Sequence, residues 1–218
     1  PDQLILAISS DHHVDNVLSL VQHSFGDWKN DGLVEPMIIN SVRTGFKSTP
    51  QFIPVKNKSL CKLVYGLPGV LRNEPDYFPL LLLSHILSNE GRWGSQIWDQ
   101  NDAISRGFLS LEAVLREGLF MILISAVPNQ VESALEFLKE KIETMKDQGF
   151  TQKELEFSKN TLINSLLITL SSNVGITNSL IEAEWMGIKK NSLKTLIQTL
   201  RDVSLEQLID ISRTRLFL

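Results

Sequence analysis

The stretch GLFMILISAVPNQVESALEFLKEKIETMKDQGFTQKELE, residues 118–156, decides the fold class. Its first part, residues 119–127, is dominated by Leu, Ile, Met and Phe and closes at Pro128, the pattern of a buried strand. From Val131 the apolar side chains recur at Leu135, Leu138, Ile142 and Met145, with Glu and Lys between them, so this part predicts a helix with one core-facing stripe. Gly149 stops that helix. Thr151, with Glu154 three residues later, forms a capping box that satisfies the first free N–H groups of the next helix.

Working outward, residues 108–114 predict a strand that pairs with 119–127 through a turn at Arg116, Glu117 and Gly118. Further upstream come a strand at 60–66, a turn containing Pro68, Gly69 and Pro75, and a helix at 76–87 with Asp76 placed to cap it. Everything beyond Asn129 reads as helix: 130–148, 152–170, 176–186, 192–200 and 205–213, the last opened by a second capping box, Ser204 with Gln207. Strands early and helices late predict an α+β fold, an antiparallel sheet with helices packed on one face.

The beginning of the chain reads separately. Residues 4–9, LILAIS, predict a strand, and Val14, Val17, Leu18, Val21 and Phe25 form one face of a short helix ending at Gly26. Residues 26–50 then break into Gly, Pro, Asn, Ser and Asp, which marks a connection between packing units. The expected organisation is a strand-helix unit at 1–28, a linker at 29–50 and a main domain at 51–218.

With 218 residues, 43% of them apolar, the chain has material for a proper core and reads as soluble and globular. No apolar run reaches the roughly 20 residues that a membrane-spanning helix needs, so no membrane partner is expected. The net charge of -4, without a cluster of Lys and Arg, argues against nucleic acid as a partner. Cys61 is the single cysteine, which excludes an internal disulfide and any multi-cysteine zinc site. On a strand pattern it reads as a small core residue rather than a nucleophile. Cytoplasm, periplasm and organelle matrix all remain compatible with one thiol.

Catalytic patterns are missing. Zinc hydrolysis needs HExxH or HxxEH spacing, and neither occurs; nor does a phosphate-cradling glycine motif or a GxSxG elbow. His12 and His13 are adjacent and diverge, while His23 and His85 are isolated. Glu154 with Glu156, and Glu182 with Glu184, sit two apart on predicted helices and face different ways. The chain therefore offers no catalytic and no metal-binding set of its own. One constellation is a binding candidate: Arg92, Trp93, Trp98 and Arg106 lie on the segment that leaves the 76–87 helix and enters the next strand, and Trp and Arg are the types enriched at binding hot spots. Capping of the open end of the helical layer is the simpler explanation of the two tryptophans. Trp28 and Trp185 read as core-edge residues.

The order of these parts resembles the second-domain, or inactive-domain, region of the insulinase-like zinc metallopeptidases, the family of pitrilysin and the mitochondrial processing peptidase. The residues that carry it are the 4–9 strand with FGDW at 25–28, Gln51 followed by the 60–67 strand, and YFPLLLLSHILS at 77–88. GRWGSQIWDQ at 91–100, GLF at 118–120 and QGFTQKELEFSKNTL at 148–162 complete the series. The resemblance spans almost the whole chain, and order and spacing together make it specific.

It implies repeated α+β domains forming half of a chamber that encloses unfolded peptides, with residues 1–28 a remnant of the preceding domain. Zinc, in such a family, is held by HxxEH and a later Glu in the first domain, so the cofactor is implied for a zinc-bearing N-terminal domain or partner subunit and not for this chain. Many members also supply an Arg and a Tyr that support the substrate carbonyl; the matching positions here carry Trp98 and Ser105, and Arg106 is the nearest candidate substitute. The expected function is a non-catalytic chamber domain acting in peptide binding and proteolysis only with its zinc-bearing counterpart. A structural interaction subunit without protease activity is the alternative, and a homo-oligomer is compatible with either. The 4–9 strand is expected to complete the sheet of residues 51–218 or to pair with a neighbouring chain, because an apolar strand edge left open invites association.

Overall fold

Three strands form one antiparallel sheet in the order β1-β3-β2: β1 (Cys61–Pro68), β2 (Ile104–Glu112) and, in the centre, β3 (Leu119–Ala126). The structure is a computed structural model that describes residues 4–29, 51–88, 104–112, 118–186 and 193–216. β3 is the strand that the sequence implied, with a period-two burial pattern. Phe120, Ile122, Ile124 and Ala126 are buried, and Met121, Leu123 and Ser125 between them are half-buried. Leu63 of β1 pairs with Ile124, and Leu109 of β2 with Ile122, so apolar residues of all three strands fall on one face.

Helix α1 (Val14–Phe25) precedes the sheet, and α2 (Tyr77–Leu87) lies between β1 and β2 in sequence. After β3 come α3 (Val131–Gln148), α4 (Gln152–Thr169), α5 (Asn173–Trp185), α6 (Leu193–Asp202) and α7 (Leu205–Ile211), the last continuing into a π-helical turn (Ser212–Leu216). The antiparallel sheet followed by helices is the α+β architecture expected.

By contacts the chain divides into two units. The larger comprises Ser41–Ile163 and Ser192–Leu218, the smaller Pro1–Asn40 and Asn164–Asn191. These boundaries differ from the segments 1–28, 29–50 and 51–218 drawn from sequence. The end of α4 and all of α5 cluster with the N-terminal residues, and Ser9 Oγ donates to Asn173 Oδ1 at 3.1 Å within that smaller unit.

In the larger unit, α2 is the central helix. Leu80, Leu82, Leu83, Ile86 and Leu87 are all buried, so it is apolar nearly all round and has no wet face. It packs on β2 and α7, while α3 packs on β3. Two polar ties cross this core, and a third lies at its surface. His85 Nδ1 on α2 lies 3.0 Å from Ser158 Oγ on α4. Lys159 Nζ donates to the Arg201 carbonyl at the end of α6 at 2.8 Å and pairs with Glu156 at 3.1 Å. Arg215 reaches Asp76 Oδ2 at 3.3 Å.

Both capping boxes form. Thr151 N–H donates to Glu154 Oε2 at 2.8 Å while Glu154 N–H donates back to Thr151 Oγ1 at 3.3 Å. Ser204 and Gln207 exchange the same pair of bonds. Glu154 is thus a cap, and Glu156 pairs with Gln152 and Lys159, which is the solvated-face role expected of them.

Residues 4–10 are extended and join no sheet among the described residues, and a strand exists only by virtue of its ladder. Three local readings need correction. Asp76 sits at the N-cap of α2 in helical conformation without a side-chain cap bond, its carboxylate being turned to Arg215 instead. β2 begins at Ile104, four residues before the expected start, and its register slips between Ile104 and Arg106. Trp28 and Trp185 are largely exposed rather than at the edge of a core, and Cys61 is half-buried on the outer strand β1.

Candidate functional site

The binding candidate proposed from sequence centres on the segment entering β2. Arg92, Trp93 and Trp98 lie outside the described residues, and Arg106 is described in its main chain only. That main chain is informative. Arg106 pairs in register with Ser125, directly after a bulge in which Ser105 is exposed. A bulge bends the strand and re-aims the residues around it, and such features are common beside functional sites.

The register defines the surface that this segment joins. On the sheet face away from Phe120, Ile122 and Ile124, Lys62 and Arg106 occupy the positions flanking Ser125, and Val64 lies opposite Leu123. Gly66 and Ser110 flank Met121, and Ser110 Oγ donates to Glu112 Oε1 at 2.9 Å. Val64 is 59% exposed and Leu119 49%, with Met121 and Leu123 half-buried. The result is a shallow apolar strip on strands β1 and β3, with a basic residue position on each side of Ser125 at one end and a carboxylate at the other. Sequence reasoning missed Val64, Leu119, Met121 and Leu123 as surface residues. A nearly all-apolar run along 119–127 conceals which parity faces the helices.

No side chain on this surface is placed as a nucleophile or a general base. Among the described residues no three His, Cys, Asp or Glu side chains converge to hold a metal ion. The individual donors are committed elsewhere: His85 to Ser158, while His12 and His13 lie within 3.7 and 3.3 Å of Asp11 and Asp15. These donors do not fit a catalytic zinc, which needs three protein ligands on one open coordination sphere. A separate open groove of about 440 Å³ lies between the end of α3 and the π-helical turn, floored by Met145, Phe150 and Ile209 and edged by Arg213. Lys146, Asp147, Gln148 and Ser212 also line it.

Comparison with known proteins agrees with this picture. A family model described as the peptidase M16 inactive domain matches residues 1–162. The chain is 24% identical over 221 residues to the uncharacterized zinc protease YmxG of Bacillus subtilis (strain 168), covering 98% of this chain and 51% of that protein. In fold it is similar to a protease from Helicobacter pylori, with a TM-score of 0.76 at 18% identity, covering 94% of this chain and 51% of that one. It is also similar to a chain of Complex III2 from Candida albicans, with a TM-score of 0.70 at 12% identity, covering 94% and 50%. The chain thus spans about half the length of the relatives it matches. With three antiparallel strands, the helices that follow them and a family match over most of its length, the chain belongs to the peptidase M16 inactive domain family, the C-terminal, non-catalytic part of zinc protease-like proteins.

Proposed function

We propose that this chain is one wall of a peptide-enclosing chamber, in a parent protein whose proteolysis depends on a zinc-bearing domain or partner subunit. The observation that carries the reading is its alignment, over nearly all of its own length, with only half of a zinc protease homologue. In this reading the uncovered strip of Val64, Leu119, Met121 and Leu123 faces the chamber and takes extended, unfolded peptide through apolar contact. Arg92, Trp93, Trp98 and Arg106 then line the same wall, and residues 1–28 are the end of the preceding domain, joined by 29–50 to a second domain at 51–218.

Purified chain supplied with zinc is expected to leave an unfolded casein-type peptide intact, whereas the parent protein cleaves it and loses that activity on chelation. Zinc-accelerated cleavage by the chain alone would overturn the reading.

A second reading, a structural interaction subunit without protease activity, draws support from the likeness in fold to a Complex III2 chain. The parent's upstream sequence discriminates. HxxEH followed by a distant Glu supports the protease half, and a complete first domain lacking them supports the structural subunit.

A further inference from the structure

We infer that Gly66 keeps a notch open on the outer face of the sheet, and that this notch and Lys62 together select an extended peptide carrying a large apolar side chain with an acidic residue to one side of it. The inference deepens the reading above and rests on it in taking that face to meet peptide.

A glycine inside a strand forgoes packing and strand propensity, and its usual reasons are a bulge, a bend, or the close approach of another backbone or a ligand. The fold supplies none of the first three at Gly66. Its φ is not positive, and the ladder with β3 runs unbroken from Cys61 opposite Ala126 to Pro68 opposite Leu119, so neither a bulge nor a left-handed bend is made there. Among the described residues no heavy atom lies within 4 Å of the place its Cβ would take, so no other backbone approaches it. Gly69 on the same side of the sheet's first turn is the opposite case, since a Cβ there would stand 2.6 Å from the Gly118 carbonyl carbon. The space over Gly66 is unused by the fold, and a ligand is the reason left.

The register sets what borders the notch. On the outer face Gly66 stands between Val64 and Pro68 along β1 and opposite Met121, with Leu119 and Leu123 on either side of Met121 along β3. This rim is apolar and partly open, Val64 being 59% and Leu119 49% exposed, so a large aliphatic or aromatic side chain is the group that gains by entering it. Charge then sets the flank. Lys62 is exposed beside Ser125, Arg106 holds the register position on the other side of Ser125, and Glu112 stands at the far end, opposite Leu119. An extended segment laid on a sheet face aligns with its strands. Lys62 and Gly66 are roughly 13 Å apart along β1 at ~3.3 Å per residue, which places the acidic residue about four positions from the side chain in the notch.

The parent protein, treated with a chelator so that peptide stays intact, is titrated with labelled peptides that share one apolar core and carry Asp, Lys or Ser on one flank. The Asp-flanked peptide is expected to bind about 10-fold more tightly than the Lys-flanked one at low salt, with the gap closing as salt is added. Lys62→Glu is expected to abolish or reverse that order. Gly66→Thr puts a β-branched side chain into the notch and is expected to weaken every peptide about 10-fold while the unfolding midpoint stays or rises, because Thr favours a strand. Weaker binding without lost stability is the combination that a purely structural glycine does not give. A lower midpoint with binding intact would make Gly66 a backbone requirement and overturn the inference, as would equal affinity for the Asp-flanked and Lys-flanked peptides. A parent dimer that Gly66→Thr turns into monomer would overturn it in favour of a second copy on this face. Lys62→Glu leaves the glycine untouched, and an unchanged order of the peptides in that variant would overturn the inference by itself. Tight binding indifferent to both variants would remove this site and leave the chamber reading standing, whereas absence of binding to any peptide would remove both.

Discussion

Ser158 Oγ lies 3.0 Å from His85 Nδ1 across 73 residues of sequence, joining the first half of α4 to the central helix α2. Ser158 is 1% exposed, so the pair is a polar tie inside the core, and it fixes how the long helix lies on the apolar one. Ser158→Ala removes this partner from the half-buried imidazole of His85. A loss of about 1–3 kcal/mol is expected, read as a lower urea midpoint at unchanged slope. A midpoint within error of the parent sequence would show that the contact contributes nothing net.

The neighbouring residue makes a second tie. Lys159 is 6% exposed and its ammonium donates to the Arg201 carbonyl, one of the acceptors that α6 leaves free at its C-terminus. Lys159→Met keeps the apolar stem and removes the donor. Stability should fall by about 1–3 kcal/mol, and exchange at the end of α6 should rise more than exchange in the sheet. Uniform loss of protection throughout would point instead to a general packing defect.

Gly175 closes the turn between α4 and α5. Its N–H donates to Ser172 Oγ at 3.1 Å, and a Cβ at this position would stand 1.7 Å from the Thr169 carbonyl oxygen. Backbone has to move to admit even a methyl group. Gly175→Ala is therefore expected to destabilise the smaller unit by about 1–3 kcal/mol, visible as faster exchange in α5, with the larger unit's strands unaffected. Retained protection in α5 would contradict this geometry.

On the sheet's open face, Val64 stands opposite Leu123 and is exposed enough to change without disturbing the core. Val64→Glu is expected to shift stability by less than about 1 kcal/mol. In the parent protein it should weaken the binding of an unfolded peptide several-fold, measured by fluorescence anisotropy. Unchanged binding would remove this strip from the peptide surface.

Signals that act within a few residues were legible in the sequence. The stripe from Val131 to Met145 gave α3, and Thr151 with Glu154, then Ser204 with Gln207, gave helix starts whose bonds form as read. Both depend on neighbours three or four positions apart, which the helix itself brings together. The order of these local parts was enough to identify the family. The candidate surface was only half legible. Arg92, Trp93, Trp98 and Arg106 were named by residue type, whereas Val64 and Leu123 emerged only once β1 was set beside β3.

What the tertiary structure alone decided is partnership over long separations. LILAIS is as apolar as any strand of the sheet, yet residues 4–9 have no ladder among the described residues, since an apolar run marks a surface to be covered and cannot specify what covers it. Asp76 meeting Arg215, His85 meeting Ser158 and Lys159 meeting Arg201 belong to the same class. Each joins groups that only the packed chain brings within hydrogen-bonding reach, and for Ser158 and Lys159 burial makes an unmet polar atom costly. Sequence by itself determined most elements, the two capping boxes and the family; packing determined which polar groups meet and which apolar faces stay exposed.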